Sequence, residues 1–304
     1  MKTLISLFAL FLSLSLTAQT SPATWYLNDT SVNGIQSPTN TASGSVSVAM
    51  GIGTTASGQY STAMGVETIA SGKRSTAMGQ GTIASGDFST AKGRNTTASG
   101  YNSTVMGVFA EASGDASTAM GQGTIASDYL SFIVGKHNLA GSAVTSSAIQ
   151  FSLDNTAFVI GNGTNSGSRS DALVVKFNGD ATLAGNLNIN SDARLKANII
   201  SLGSTLSKLL QIDGKSYTMK KDENEKQKIG LLAQDIEKVF PELVSESHGV
   251  KSVNYQGLVP VLINALKEQD AMMKEQQNEI EILKQQQSEI DELKTMLKTL
   301  IEKT

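Results

Sequence analysis

Ser75-Thr-Ala-Met-Gly-Gln-Gly-Thr-Ile-Ala-Ser-Gly-Asp-Phe88 is one copy of a 14-residue unit that repeats along the first half of the chain. Glycines mark the repeat in two series, each with a step of 14 residues and with an offset of seven between them. The first series is Gly44, Gly58, Gly72, Gly86, Gly100 and Gly114, and the second is Gly51, Gly65, Gly79, Gly93, Gly107, Gly121 and Gly135. Each unit contains two short runs that end at a glycine, and glycine can adopt the positive φ of a tight turn. The pattern predicts two β-strands per unit and a coil of stacked strands.

Side chains within each run should alternate between the two faces of the predicted strands. Ala77 and Ala84 are expected to point into the coil, and Met78 and Ser85 to point outward. A flexible linker rich in Gly, Ser and Thr would not keep 13 glycines in phase, so the period indicates ordered structure. Gly-x-Gly triplets such as 79–81 do not lead from a strand into a helix, so no nucleotide site is expected.

The repeat resembles the head of YadA-type trimeric adhesins over about residues 41–142. This resemblance implies a left-handed parallel β-roll of about seven turns in which three chains pack side by side. Asp128 replaces a glycine in the last unit, as is common in a terminal cap. The variable turn tips are candidates for binding an unknown surface ligand or glycan: Gln59-Tyr60, Lys73-Arg74, Asp87-Phe88 and Tyr101-Asn102.

Residues 1–18 have the composition of a secretory signal peptide, with Lys2 before an apolar run and small residues at the end. We therefore expect export to the cell surface or the medium, with residues 19–40 as a linker. A retained membrane anchor is the alternative. The chain contains no cysteine, which excludes disulfides and thiol catalysis.

The formal net charge of −3 gives no reason to expect a nucleic-acid partner. Residues 191–304 hold 16 of the 24 basic and 18 of the 27 acidic residues, so the repeat half is nearly uncharged. The two histidines, His137 and His248, read as ordinary surface residues. Neither a metal site nor a cofactor is expected.

Strand-like runs continue beyond the repeat and predict a β-rich neck over residues 143–190. After it, a small α+β region is predicted, with strands near 216–219 and 229–232 and a helix over 233–240 that Pro241 ends.

From about Leu258 to Thr304 the chain predicts one long helix in a trimeric coiled coil, because apolar residues recur with a step of seven. A first series is Leu266, Met273 and Ile280, and a second, shifted in register by three, is Leu283, Ile290 and Leu297. A solvated single helix is the alternative.

Ser191-Asp-Ala-Arg-Leu-Lys196 joins the neck to the charged C-terminal region and places a hydroxyl five residues before an amine. Such a pair can act as nucleophile and base in the self-cleavage of a chain. From these residues alone, Ser191 could equally cap a helix that runs on through Lys196.

This hexapeptide, together with residues 230–244 and 253–258, resembles the intramolecular chaperone domain of endosialidase-type phage tailspikes, which the myelin regulatory factor shares. The resemblance covers residues 191–304. It implies that Ser191 is the nucleophile, that Lys196 is its base and that the Asn190–Ser191 bond is cut once per chain. Asn254 departs from the family pattern, in which an acidic residue precedes the tyrosine.

These features favour an exported homotrimeric fibre whose chaperone segment aligns three chains and then releases itself, as a single-turnover serine autoprotease. The alternative is an uncut binding fibre with a permanent C-terminal trimerisation domain. A glycan hydrolase needs two closely held carboxylates, and acids of the repeat such as Glu67 and Glu111 stand alone.

Overall fold

The computed structural model describes residues 26–28, 34–36, 39–139, 147–220 and 225–302. The predicted signal peptide at 1–18 and the predicted boundary at residue 142 lie outside these residues. The chain forms two compact units, one ending at Ile189 and the other starting at Asn190.

The first elements that the structure describes are an antiparallel pair of strands, β1 (Tyr26–Asn28) and β2 (Gly34–Gln36). The repeat then alternates short and long strands. In chain order these are β3 (Thr41–Ala42), β4 (Val48–Ile52), β5 (Thr55–Ala56), β6 (Thr62–Val66), β7 (Ile69–Ala70), β8 (Thr76–Gln80), β9 (Ile83–Ala84), β10 (Thr90–Arg94), β11 (Thr97–Ala98), β12 (Thr104–Val108), β13 (Glu111–Ala112), β14 (Thr118–Gln122), β15 (Ile125–Ala126) and β16 (Phe132–Lys136).

Each strand of the repeat pairs in parallel with the strand one unit further on. Thr62 pairs with Thr76 in the long strands, and Ala70 pairs with Ala84 in the short ones. The long strands belong to one sheet, and the seven short strands form a second sheet. The repeat is therefore a β-solenoid whose turns are one 14-residue unit each, which confirms the predicted coil.

Small side chains fill the interior of the solenoid. Ala77 and Ala84 have no exposed surface, whereas Met78 is half-buried and Ser85 is exposed, as the alternation predicts. Alanine occupies nearly every equivalent inward position, with Val105 and Ile133 as larger exceptions in the later turns. The interior has room for little more than a methyl group at most levels, which explains the low aromatic content of the repeat.

Asparagine side chains cap both ends of the sheet of short strands, which we call the wall. Within the wall, an N–H donates to a carbonyl of the next turn, as Glu111 N does to Thr124 O at 2.8 Å. At the last turn, Ile125 N donates instead to Asn138 Oδ1 at 2.7 Å. At the first turn, Asn40 Oδ1 accepts from Thr54 N at 2.9 Å. The two amides thus satisfy backbone groups that have no neighbouring turn.

The two glycine series are required for different structural reasons. The second series adopts positive φ, as Gly93 does at +128°, which agrees with the prediction. The first series does not, and the positive φ near Gly86 belongs to Phe88, at 61°. The prediction that Gly86 needs a positive φ is therefore wrong. Glycine is required there because a Cβ would lie 2.0 Å from the carbonyl oxygen of Gly100 in the next turn.

Replacing Gly93 with alanine should destabilise the solenoid by about 3 kcal/mol, because overpacking adds to an unfavourable backbone conformation. A Cβ at this position would lie 1.9 Å from Gly107 O. Gly185→Ala is the matched control, since its Cβ would meet no atom within 4 Å. Thermal melts followed by circular dichroism should show a lower Tm for Gly93→Ala alone, and equal melting of the two variants would contradict the stacking of the turns.

Neighbouring strands extend the long sheet at both ends. β2 pairs in parallel with β4, so the segment predicted as a linker contributes a strand that covers the free edge of the first turn. At the other end, β17 (Thr156–Asn162) pairs in parallel with β16, and Thr156 N donates to the buried Asp128 carboxylate at 2.8 Å. β18 (Asp171–Lys176) and β19 (Ala181–Leu183) continue the sheet in antiparallel fashion. Asp128 therefore joins the last turn to the neck.

In its described residues, the second unit contains two small hairpins and three α-helices. The elements are α1 (Leu206–Leu209), β20 (Lys215–Tyr217), β21 (Lys228–Gly230), α2 (Ala233–Val239), β22 (Val244–Ser247), β23 (Val250–Val253) and α3 (Leu258–Ile301). The predicted strands, the helix that ends before Pro241 and the long C-terminal helix agree with this order. The hairpin of β22 and β23 was not predicted; its turn is formed by His248 and Gly249, both with positive φ.

A compact core holds the start of α3 against α2. Ile236 of α2 and Phe240, the residue that follows α2, are buried together with Leu243, Leu258 and Val261. Beyond this core, the apolar residues of α3 at heptad positions are exposed in the single chain; these are Leu266, Met273, Ile280, Leu283, Ile290, Leu293, Leu297 and Leu300. We call this set the heptad stripe. A helix with an exposed apolar stripe of this length is typical of a coiled-coil subunit.

Candidate functional site

Ser191 and Lys196 lie in direct contact at the start of the second unit. Lys196 Nζ donates a hydrogen bond to Ser191 Oγ at 2.7 Å. One turn of 3₁₀ helix, Ala193–Leu195, separates the two residues and reverses the chain locally. The structure therefore brings together the two side chains that the sequence analysis singled out as nucleophile and base.

The alternative reading of Ser191 as a helix cap does not hold. The N-cap of the 3₁₀ turn is Asp192, whose Oδ1 accepts from Arg194 N at 2.9 Å. Lys196 ends the turn in an extended conformation, with φ −118° and ψ 147°. No α-helix runs through Lys196, and the Ser191 hydroxyl is free to face the lysine amine.

Arg194 and Asp192 form a forked ion pair beside the Ser–Lys contact. Arg194 Nη2 lies 2.6 Å from Asp192 Oδ2, and Arg194 Nε lies 3.1 Å from both carboxylate oxygens. The side-chain hydrogen bond from Arg194, supported by its backbone N–H, lowers the pKa of Asp192. The same pair raises the pKa of Arg194. The carboxylate next to Ser191 is thus already neutralised by a cation of its own segment.

Both members of the Ser–Lys contact are exposed in the single chain, as is every residue from 181 to 200. A lysine can act as a base only when it is neutral, and burial favours the neutral form. The second unit does not bury Lys196.

Glu268 of α3 anchors the segment that follows the site, and the sequence analysis did not identify it. Its carboxylate accepts from Ser204 Oγ at 2.8 Å, from Thr205 N at 2.5 Å and from Leu206 N at 3.2 Å. These bonds, led by the one from Thr205 N, lower the pKa of Glu268. The carboxylate serves as a cap for α1 that comes from 62–64 residues away, so no local pattern in the sequence could reveal it.

Asn254, which departs from the family pattern, has a structural role in the same unit. Its Oδ1 accepts from Gly257 N at 3.2 Å and caps a 3₁₀ turn over Tyr255–Gly257 just before α3. The hydroxyl of Tyr255 accepts from Leu231 N at 3.0 Å, at the rim of a cavity of about 330 Å³. An amide can perform this capping as well as a carboxylate can.

The candidate binding tips form one exposed strip along the solenoid. The Arg74 guanidinium lies 5.5 Å from the ring centroid of Tyr60 and 5.1 Å from that of Phe88. The rings of Phe88 and Tyr101 meet edge to face at 5.4 Å. The second residue of each of the four tips, at 60, 74, 88 and 102, has a positive φ. The structure thus gathers tips that are far apart in sequence into a continuous surface.

His137 is buried at the end of the solenoid, and the reading of it as a surface residue is wrong. Burial, followed by the charges of Arg169 and Lys136, lowers its pKa. Among the described residues, no group of three or more His, Asp or Glu side chains is placed to hold a metal ion. Within the same ranges, no helix is long and apolar enough to cross a membrane.

Comparisons with known proteins match both units. The model of the YadA head domain repeat (2 copies) matches residues 42–68, 70–96 and 98–124, and the model of the chaperone of endosialidase matches residues 191–245. The chain is also 31% identical over 119 residues to the long tail fiber protein Gp37 of Salmonella phage S16. That match covers 35% of this chain but only 16% of the phage protein. These findings confirm both resemblances: the solenoid matches the YadA head repeat, and the match to the chaperone of endosialidase begins at Ser191.

Proposed function

We propose that the chain is one subunit of an exported homotrimeric fibre whose C-terminal segment aligns three chains and then cuts itself off between Asn190 and Ser191. The observation that carries this proposal is the 2.7 Å contact between Ser191 Oγ and Lys196 Nζ. It supports a nucleophile and a base within proton-transfer distance at the first residues of the chaperone segment.

The cleavage would proceed through an ester. The neutral Lys196 amine takes the proton of the Ser191 hydroxyl while Oγ attacks the carbonyl carbon of Asn190. The C–N bond then breaks, and the Ser191 nitrogen takes the proton from the lysine. Water next hydrolyses the ester between Asn190 and Ser191 Oγ, which leaves a carboxylate on Asn190 and a free hydroxyl and amine on Ser191.

Assembly would supply the desolvation that the single chain lacks. Burial in a less polar environment disfavours the charged form of a lysine and so favours the amine that can act as a base. Because Lys196 is exposed in the single chain, we infer that neighbouring chains cover it in the trimer. Cleavage would then follow assembly and would not cut chains that have not yet found their partners.

Trimer formation is supported by two apolar surfaces of the single chain. The heptad stripe of α3 is exposed over most of the helix. On the solenoid, the outward face of the long strands carries methionines that are half-buried or exposed at positions 50, 64, 78, 106 and 120. Joining three chains through α3 first would lower the entropic cost of forming long-range contacts in the solenoid.

A permanent, uncut trimerisation domain is the second candidate. The observation that favours it is the exposure of Ser191 and Lys196, since the burial that favours a neutral amine is absent from the single chain. In either case the exposed strip of turn tips would contact the surface ligand.

Intact-mass analysis of the purified protein, combined with gels of boiled and unboiled samples, tests the proposal. Self-cleavage should yield a C-terminal fragment of 304 − 190 = 114 residues that begins at Ser191, without added protease. Unboiled samples should migrate as a trimer. A full-length trimer would favour the permanent trimerisation domain, and a monomer would contradict both candidates.

A further inference from the structure

The stretch between the nucleophile and its base contains a carboxylate and a guanidinium that bind each other. Asp192 follows Ser191 directly, and Arg194 lies two residues before Lys196. Three nitrogens of Arg194, the backbone N, Nε and Nη2, all donate to the Asp192 carboxylate. The pair is therefore specific in its geometry, with a forked side-chain contact and a backbone contact.

Fold stability does not account for this pair. The Arg194 side chain is 89% exposed and that of Asp192 is 42% exposed. Ion pairs in such surroundings contribute little to stability, because water and salt screen them. The backbone bond to Asp192 Oδ1 shapes the 3₁₀ turn, but an uncharged amide could accept that bond equally well.

An unpaired carboxylate at position 192 would oppose the proposed chemistry. A negative charge near an amine favours the charged form, so it would keep Lys196 protonated. Within the described residues, no carboxylate lies at ion-pair distance from Lys196 Nζ. The charged groups of its own segment are Asp192 and Arg194, and the hydrogen bond of Lys196 is to Ser191.

We propose that Arg194 is a positioning residue that holds and neutralises Asp192, so that the carboxylate can cap the turn that brings Lys196 to Ser191 without stabilising the charged form of the lysine. This inference rests on the proposed self-cleavage. It assigns separate tasks to the two residues: Asp192 sets the shape of the turn, and Arg194 cancels the charge that this shape requires.

The test measures the cleavage rate of the full chain against pH. Uncut chain is collected in denaturant and diluted into a series of buffers that spans the titration of lysine, and cleavage is followed by mass spectrometry. Arg194→Gln should raise the pH midpoint of the rate by about half a unit, as expected for unit charges on the order of 7 Å apart in water, with the plateau rate largely kept.

Matched variants separate charge from shape. Arg194→Lys keeps the positive charge and should keep a midpoint near that of the wild type. Asp192→Asn keeps a side-chain oxygen for the cap and removes the negative charge, so the double variant Asp192→Asn/Arg194→Gln should lose the upward shift. A lower plateau with an unchanged midpoint in Arg194→Gln would mean that Arg194 only supports the shape of the turn, and it would overturn the proposal.

A second measurement does not depend on cleavage. In full-length Ser191→Ala protein, trace acetylation with acetic anhydride reports the fraction of neutral Lys196 at each pH, read from the mass of the peptide that contains it. The midpoint of acetylation should rise on addition of Arg194→Gln and return with Asp192→Asn. If wild type does not cleave, the proposed function fails, while an unmoved acetylation midpoint refutes the role of Arg194 by itself.

Discussion

Replacing Ser191 with alanine should leave the chain at its full length of 304 residues, because the only atom placed to attack the Asn190 carbonyl in the proposed mechanism is lost. Lys196→Ala should remain uncut or be cleaved very slowly, since no base then faces the hydroxyl. N-terminal sequencing and intact mass of each purified protein provide the measurement. We expect the loss of cleavage in each variant to be nearly complete, because residues that act as a unit in catalysis fail together.

Assembly and neighbouring residues provide the controls for this experiment. Both variants should still form trimers, because neither change touches the heptad stripe. Ser201→Ala and Lys267→Ala, at exposed positions of the same unit, should cleave as the wild type does. Unchanged cleavage in Ser191→Ala, or a fragment that starts at another residue, would refute the Ser–Lys mechanism.

Substituting Leu283, Ile290 and Leu297 together with aspartate should abolish the trimer. In a three-stranded coil these residues would place nine carboxylates, three from each chain, in or near one apolar interface, and uncompensated buried charges are strongly destabilising. Light scattering at micromolar concentration should return the mass of a single chain. If assembly aligns the site as proposed, the same variant should also stay uncut.

Three aspartates on the outer face of α3 serve as the matched control. Gln285, Ser288 and Thr299 are exposed and lie outside the two step-seven series, so their substitution by aspartate adds the same charge without entering the heptad stripe. This control should assemble and cleave. If the triple variant at 283, 290 and 297 remains trimeric while its solenoid folds normally, α3 is not the element that joins the chains.

Periodic patterns allowed most of the architecture to be predicted. The strict spacing of glycine and alanine determines the solenoid, because every turn has the same contacts with the next. The apolar steps of seven determine the extent of α3. Such patterns are visible because one physical requirement recurs at a fixed interval in the chain.

The features that the sequence did not reveal depend on contacts between distant residues or on a choice between two causes. Glu268 caps α1 from 62 or more residues away, and His137 is buried at the end of the solenoid, where its carbonyl oxygen accepts from Ser170 N. Gly86 and Gly93 look alike in the repeat, yet one is needed for close stacking and the other also for its positive φ. The candidate site was predicted as a pair, but the binding of Asp192 by Arg194 required the geometry of the turn.

The asparagine caps of the solenoid have an evolutionary consequence. Because Asn40 and Asn138 cap the two ends of the wall and the inner turns make the same contacts with one another, the number of inner turns is independent of how the ends are capped. An in-frame duplication or loss of one unit would lengthen or shorten the structure by about 4.8 Å and leave both caps in place. Recombination between repeats of the gene can therefore change the length of the solenoid, while the same two asparagines still cap its ends.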